Sequence, residues 1–216
     1  MGNTIIKICG ITRAEDGQAA IEAGADWLGF IRWPGSVRYR PLEECADILA
    51  TIRANTPRQF VAVGVYVDPT QRLVEEEFRK AGLDRVQLHG EEPLALILAL
   101  GLPAIKTIKI SDRSSVDRAE AYPGVDLLAD TADDVLHGGT GRTYDLAFLG
   151  DLADRRRIIV AGGLRPDNVA EVLGRVRPFG VDVSSGVESS PGIKDHEKMA
   201  GFVAAVRAVD NAGKAA

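Results

Sequence analysis

Short β-branched runs alternate with longer amphipathic, Ala- and Glu-rich segments along the chain, and this alternation predicts a parallel sheet built from βα units. Eight such units can be read. Strands are expected over residues 4–9, 27–31, 60–67, 85–88, 104–110, 126–130, 157–161 and 180–184. Helices are expected near 15–24, 42–54, 70–81, 93–100, 114–122, 145–152, 166–175 and 195–209. Gly24 and Gly82 follow helical runs as C-caps, while Asp145 and the Pro166-Asp167 pair read as helix openings.

Eight units in 216 residues leave about 27 residues each, compact for a (β/α)8 TIM barrel, which usually runs to about 250. That barrel is the expected fold class. A doubly wound open sheet is the alternative. It usually needs fewer strands, and Cys9-Gly10-Ile11-Thr12 stands after the first strand in place of a G-x-G-x-x-G fingerprint. No linker, charge block or repeat beyond the βα period divides the chain, so residues 1–216 are expected to form one domain with 211–216 as a frayed tail.

Composition narrows the function classes. A hydrophobic content of 45% supports a single sizeable core and excludes collagen-like, low-complexity and disordered chains. The 26 Lys and Arg against 31 Asp and Glu give a net charge of -5, which argues against nucleic acid or an anionic membrane as partner. A small anionic ligand is still allowed where local charge opposes the global sign. Two cysteines, Cys9 and Cys45, are too few for a disulfide framework and fall in an expected strand and helix. A reducing cytosol, and so a cytoplasmic location, fits them best. No stretch reaches the roughly 18 apolar residues of a membrane span, and the opening residues lack a basic region followed by an apolar run and cleavage site, so no secretory signal is expected.

In a (β/α)8 barrel the active site lies at the C-terminal ends of the strands. Those ends here are small and polar: Cys9-Gly10, Ile31-Arg32, Val67-Asp68, His89-Gly90, Lys109, Asp130-Thr131, Ala161-Gly162-Gly163 and Ser184-Ser185-Gly186. Singly, each is an ordinary turn residue; together they converge on one rim. Strand alternation places Lys7 inward with Cys9, and Asp182 inward with Ser184, on strands that are neighbours in a closed barrel. A buried Lys needs a partner, so a Lys7–Asp182 ion pair is expected. Gly162, Gly163, Ser184, Ser185 and Gly186 close the seventh and eighth strands, where this fold frequently builds a phosphate site from backbone N–H groups. The plainer alternative is that these glycines only make tight turns. His89 lines the expected mouth in either a substrate-contacting or a structural role. His137 and His196 fall in loops, and the three histidines form no metal-ligand pattern.

These residues resemble the phosphoribosylanthranilate isomerase family, on motifs that run in family order from Lys7 to Asp195. They are Lys7-Ile8-Cys9-Gly10-Ile11-Thr12, Gly24-Ala25-Asp26 with Leu28-Gly29-Phe30-Ile31, Ser36-x-Arg38, Val63-Gly64-Val65, Gln87-Leu88-His89-Gly90-Glu91, Asp130-Thr131, Gly138-Gly139-Thr140-Gly141, Ala161-Gly162-Gly163-Leu164 and Asp182-Val183-Ser184-Ser185-Gly186-Val187-Glu188. The resemblance implies a barrel of the ribulose-phosphate-binding type and a step of tryptophan biosynthesis. That step is the cofactor-free Amadori rearrangement of N-(5-phosphoribosyl)anthranilate to 1-(2-carboxyphenylamino)-1-deoxyribulose 5-phosphate. It also implies Cys9 as general base, Asp130 as general acid, Arg38 as holder of the anthranilate carboxylate, and the two glycine-bearing loops as the phosphate site.

The chemistry sets requirements on these groups. A free Asp is about 0.1% protonated at pH 7, so a poised acid needs desolvation, which the apolar run Leu127-Leu128-Ala129 before Asp130 offers. A base Cys needs the reverse, and Lys7 on the same face would lower its pKa, whereas burial alone would raise it. Cys45 reads as a small core hydrophobe. Two departures from the family pattern stand out: Ile31-Arg32-Trp33 near the expected anthranilate site, and Tyr144-Asp145-Leu146. Either Trp33 supplies ring stacking or substrate preference is shifted. Rival readings are another phosphosugar isomerase or an aldolase, the latter using Lys109 or Lys106 as Schiff-base lysine, and a non-catalytic phosphosugar-binding barrel.

Overall fold

The computed structural model describes residues 3–110, 113–131 and 147–215. Eight parallel strands close into a barrel in chain order: β1 (Ile5–Cys9), β2 (Trp27–Ile31), β3 (Val61–Tyr66), β4 (Arg85–Leu88), β5 (Ala104–Ile110), β6 (Asp126–Thr131), β7 (Ile158–Ala161) and β8 (Gly180–Val183). Helices fill the connections: α1 (Ala14–Ala23), α2 (Leu42–Asn55), α3 (Gln71–Ala81), α4 (Leu94–Leu100), α5 (Arg113–Ala119), α6 (Ala147–Arg155), α7 (Val169–Val176) and α8 (His196–Ala215). The expected TIM barrel is the fold.

Period-two alternation sorts each strand into two faces. Trp27, Val63, Ile105, Leu128, Ile159 and Ala161 form a compact inner cluster, while residues of the opposite parity, such as Ile6, Ile8, Leu28 and Val181, join the larger layer between strands and helices. Thr70 caps α3 by accepting the Leu73 N–H at 3.3 Å, and Gly24 and Gly82 end α1 and α3 in the left-handed conformation, as expected. The structure differs from the sequence reading at several places, among them the ends of α5 and α6, which fall three residues before and three residues after the expected ones. α7 starts at Val169, because Asn168 bonds back to the Arg165 N–H and residues 166–168 remain a turn. After β8 a short 3-10 turn (Ser185–Val187) leads into a hairpin of β9 (Glu188–Ser190) and β10 (Ile193–Lys194), none of it expected. The tail expected to fray from Asn211 is instead helical through Ala215, with Lys214 held to Asn3. Gly138-Gly139-Thr140-Gly141, His137 and Tyr144-Asp145-Leu146 lie outside the described residues.

The barrel closes where β1 meets β8, with Lys7 in register opposite Asp182. Their charged ends lie 3.0 Å apart and are buried, so the expected ion pair is present.

Candidate active site

One pocket opens at the C-terminal ends of the strands. Cys9, Ser36, Arg38, Gln87, His89, Asp182 and the segments Ala161 to Leu164 and Val183 to Gly186 line it. Cys9 ends β1 with its side chain inward and buried. Gly29, its register partner on β2, makes the room: a Cβ there would lie 2.7 Å from the Cys9 sulfur. Gly162 is fixed as firmly, since its φ of 92° is left-handed and a Cβ would lie 1.8 Å from the Thr131 carbonyl oxygen. Thr131 in turn donates from its hydroxyl to the Ala161 carbonyl at 2.9 Å, pinning the end of β6, and with it Asp130, to β7.

Charge is dense around Cys9. Lys7 pairs with Asp182, and Lys194 of the hairpin pairs with Glu188 at 3.0 Å and donates to the Ser184 carbonyl. Arg38 forms a two-pronged bond to Glu188 at 2.7 and 2.6 Å. Three cations thus face two carboxylates, leaving one positive charge for a thiolate or a bound anion. Burial still dominates the thiol and pushes it above its ordinary value, against the opposing pull of Lys7. Lys7 itself is pulled down by burial but pushed further up by Asp182 and Cys9. Burial holds Lys194 below the usual lysine range, and Glu188 is held below the carboxylate range because Arg38 and Lys194 outweigh its burial. Lys7 pulls the thiol down, as expected of a cation on the same face, but one ammonium shared with Asp182 does not offset full desolvation.

Asp130 is reached through His89, whose Nε2 lies 3.3 Å from Asp130 Oδ2. For Asp130 the desolvation that the preceding apolar run offers is partial. Its side chain is 30% exposed, because the sixth strand delivers it to the open mouth beyond the apolar run. Arg32 turns out to be structural. It is buried on the helix side of the barrel, bonded to Glu77 of α3 at 2.8 and 2.9 Å and to the Arg40 carbonyl. Trp33, 45% exposed, is not part of the pocket lining. Lys106 faces the helices and is bonded to Glu92 at 2.8 Å and to the Gly90 carbonyl, and Lys109 is exposed at the rim, so neither sits in the pocket as a Schiff-base lysine would. Cys45 is buried in α2 among core residues, as expected.

Lys194 is a site residue that sequence reasoning passed over, and Glu188 stood at the end of a family motif with no role assigned to it. Their signal was the Pro191-Gly192 turn between two short runs, which marks a hairpin. Thr12 fastens that hairpin to the loop after β1 by donating to the Gly192 carbonyl, and buried Asp16 accepts the Lys194 N–H at 3.1 Å.

Comparison with known proteins places this geometry. Residues 6–205 match the family described as N-(5'phosphoribosyl)anthranilate (PRA) isomerase. The N-(5'-phosphoribosyl)anthranilate isomerase of Magnetococcus marinus is 43% identical over 209 residues, covering 96% of this chain and 98% of its own. The crystal structure of phosphoribosyl anthranilate isomerase from Thermotoga maritima superposes with a TM-score of 0.85 at 36% identity, covering 95% of this chain and 99% of that one. A further structure of such an isomerase, in complex with reduced 1-(o-carboxyphenylamino)-1-deoxyribulose 5-phosphate, gives a TM-score of 0.84 at 35% identity and the same coverage. By sequence over nearly its full length and by fold, the chain belongs to the phosphoribosylanthranilate isomerase family, isomerases of tryptophan biosynthesis.

Proposed function

We propose that this isomerase converts N-(5-phosphoribosyl)anthranilate into 1-(2-carboxyphenylamino)-1-deoxyribulose 5-phosphate, with Asp130 as general acid and Cys9 as general base. The observation that carries the reading is the convergence of Cys9, Arg38, His89 and both glycine-bearing loops on one pocket, with Asp130 beside His89. A proton from Asp130 to the ribose ring oxygen lets the ring open to a Schiff base. Removal of the C2 proton by Cys9 gives an enolamine, which tautomerises to the ketone; one acid and one base suffice, and no cofactor enters. Backbone groups of Gly162, Gly163, Ser184, Ser185 and Gly186 hold the phosphate. Arg38 holds the anthranilate carboxylate, which takes over from Glu188 part of a guanidinium fork already shaped for a carboxylate. The surplus cation of the site offsets part of the incoming negative charge, and backbone N–H groups of the two loops meet the rest.

The partner is accordingly a small phosphosugar, neither nucleic acid nor membrane, handled by residues 1–216 as one domain in the cytoplasm. Among the described residues no helix is long and apolar enough to cross a membrane. The test is to mix the purified protein with freshly made phosphoribosylanthranilate and follow loss of substrate fluorescence. Cys9→Ser and Asp130→Asn are each expected to lower kcat by about 100-fold or more while leaving binding nearly unchanged. Turnover that survives both substitutions would sink the assignment of acid and base.

A further inference from the structure

Gln87 lies on β4 two residues before His89, on the same inward face, buried and lining the pocket. Its Nε2 stands 3.2 Å from Thr107 Oγ1 and 3.2 Å from His89 Nδ1, while its Oε1 is buried without a hydrogen-bond partner among the described residues. A buried amide oxygen with no donor is costly. A half-turn of the amide would bring Oε1 to the Thr107 hydroxyl and to Nδ1, but only if Nδ1 carries a proton.

The two amide orientations therefore correspond to two proton arrangements. With the NH2 group toward Nδ1, that nitrogen accepts, the neutral ring carries its proton on Nε2, and Nε2 donates to the Asp130 carboxylate. This is the amide orientation in the structure. With Oε1 toward Nδ1, the ring is protonated there, and Nε2 and Asp130 share one further proton, which is the form able to act as an acid. Lys109, the register partner of Asp130 on β5, is exposed at the rim, and Asp182 and Arg38 lie elsewhere in the pocket lining; among the described residues Gln87 and Thr107 are the groups bonded to Nδ1.

We propose that Gln87 is a positioning residue for the acid: its amide turns over to satisfy His89 Nδ1 in both states, letting the His89–Asp130 pair load and deliver one proton. The proposal rests on the reading of Asp130 given above. In ring opening the shared proton passes to the ribose oxygen as the anomeric C–O bond breaks. The bonding pair stays on oxygen, and the anthranilate nitrogen lone pair forms the C=N bond. Nε2 then faces a bare carboxylate with its own lone pair. The ring restores the observed arrangement by exchanging its Nδ1 proton for an Nε2 proton with solvent, and the amide turns back.

NMR of the ligand-free protein with 15N-labelled histidine reads the tautomer directly, at a pH where the ring is neutral. The wild type is expected to show His89 as the Nε2–H form, and Gln87→Glu, whose carboxylate only accepts, the Nδ1–H form. Gln87→Met, which keeps the volume without either hydrogen-bonding group, gives a second variant should the glutamate not fold. Both variants are expected to lose about tenfold or more in kcat with KM within about twofold, since Gln87 acts through the acid and not through substrate binding. An Nδ1–H ring in the wild type, an unaltered tautomer in Gln87→Glu, or kcat values within about twofold of wild type would overturn the role of Gln87. A wild type inactive on phosphoribosylanthranilate would remove the reading of Asp130 and this proposal with it, whereas an active wild type with unchanged variants removes the proposal alone.

Discussion

At the scale of the residue, the Lys7–Asp182 pair shows how burial turns an ordinary ion pair into a structural commitment. Both charged ends are almost fully withdrawn from water, and each is the other's main compensation. Removing one partner leaves the second charge stranded, a loss far larger than that of a solvated pair. Lys7→Met is thus expected to lower stability by about 3–5 kcal/mol in urea unfolding, and the double variant Lys7→Met/Asp182→Leu to regain much of it. A single-variant loss below about 1 kcal/mol would mean that water reaches the pair. This contact could be read from the chain because parity along two neighbouring strands fixes it. The states of Cys9 and Asp130 could not: whether a side chain at a strand end is desolvated depends on how wide the mouth is and on which distant groups crowd it. The Glu188 and Lys194 pair that completes the charge pattern comes from a hairpin beyond the last strand.

At the scale of the element, the left-handed helix C-caps make a natural comparison. Gly24, Gly82 and Gly101 end α1, α3 and α4 in that conformation, whereas α7 ends on Arg177 at a φ of 49°. A side chain there carries a steric penalty that glycine avoids, partly offset by the greater freedom of glycine in the unfolded chain. Arg177→Gly is expected to raise stability by about 0.5 kcal/mol, or roughly 1–2 °C in thermal unfolding. A fall in the midpoint would show that the arginine side chain contributes more than its backbone costs. The glycine signal served the sequence reading well at Gly24 and Gly82, and all eight barrel strands lie close to their expected places, because β-branched runs between helical periods leave little freedom of register. The elements that escaped were the shortest. A three-residue turn and strands of three and two residues have no periodicity to read, and only the Pro191-Gly192 corner betrays them.

At the scale of the whole molecule, net charge proves a poor guide to the site: a chain of charge -5 gathers Lys7, Arg38 and Lys194 at one mouth. Its two buried thiols do influence global stability. Burial, the largest cause at both Cys9 and Cys45, holds their folded pKa values above those of the unfolded chain. Below the unfolded value, about 8.5, both states are neutral and nothing is lost. Above it the unfolded chain ionises first, so unfolding releases protons and stability falls as pH rises toward the folded values. Urea unfolding under reducing conditions is expected to give a lower midpoint at pH 9.5 than at pH 7.5, and Cys45→Ala, though less stable at both, a smaller difference between them. An identical pH difference in the variant would assign the loss to other groups. The seam between β1 and β8 has a consequence of another kind. Lys7 and Asp182 are 175 residues apart in the chain, and one of them flanks Cys9 while the other precedes the Ser184-Ser185-Gly186 loop. A growing chain emerging from the ribosome therefore carries its cysteine first and the residues that complete its surroundings last. A fragment that ends before the Ser184-Ser185-Gly186 loop lacks part of the pocket lining, so the appearance of activity during synthesis would time the docking of the final barrel strand.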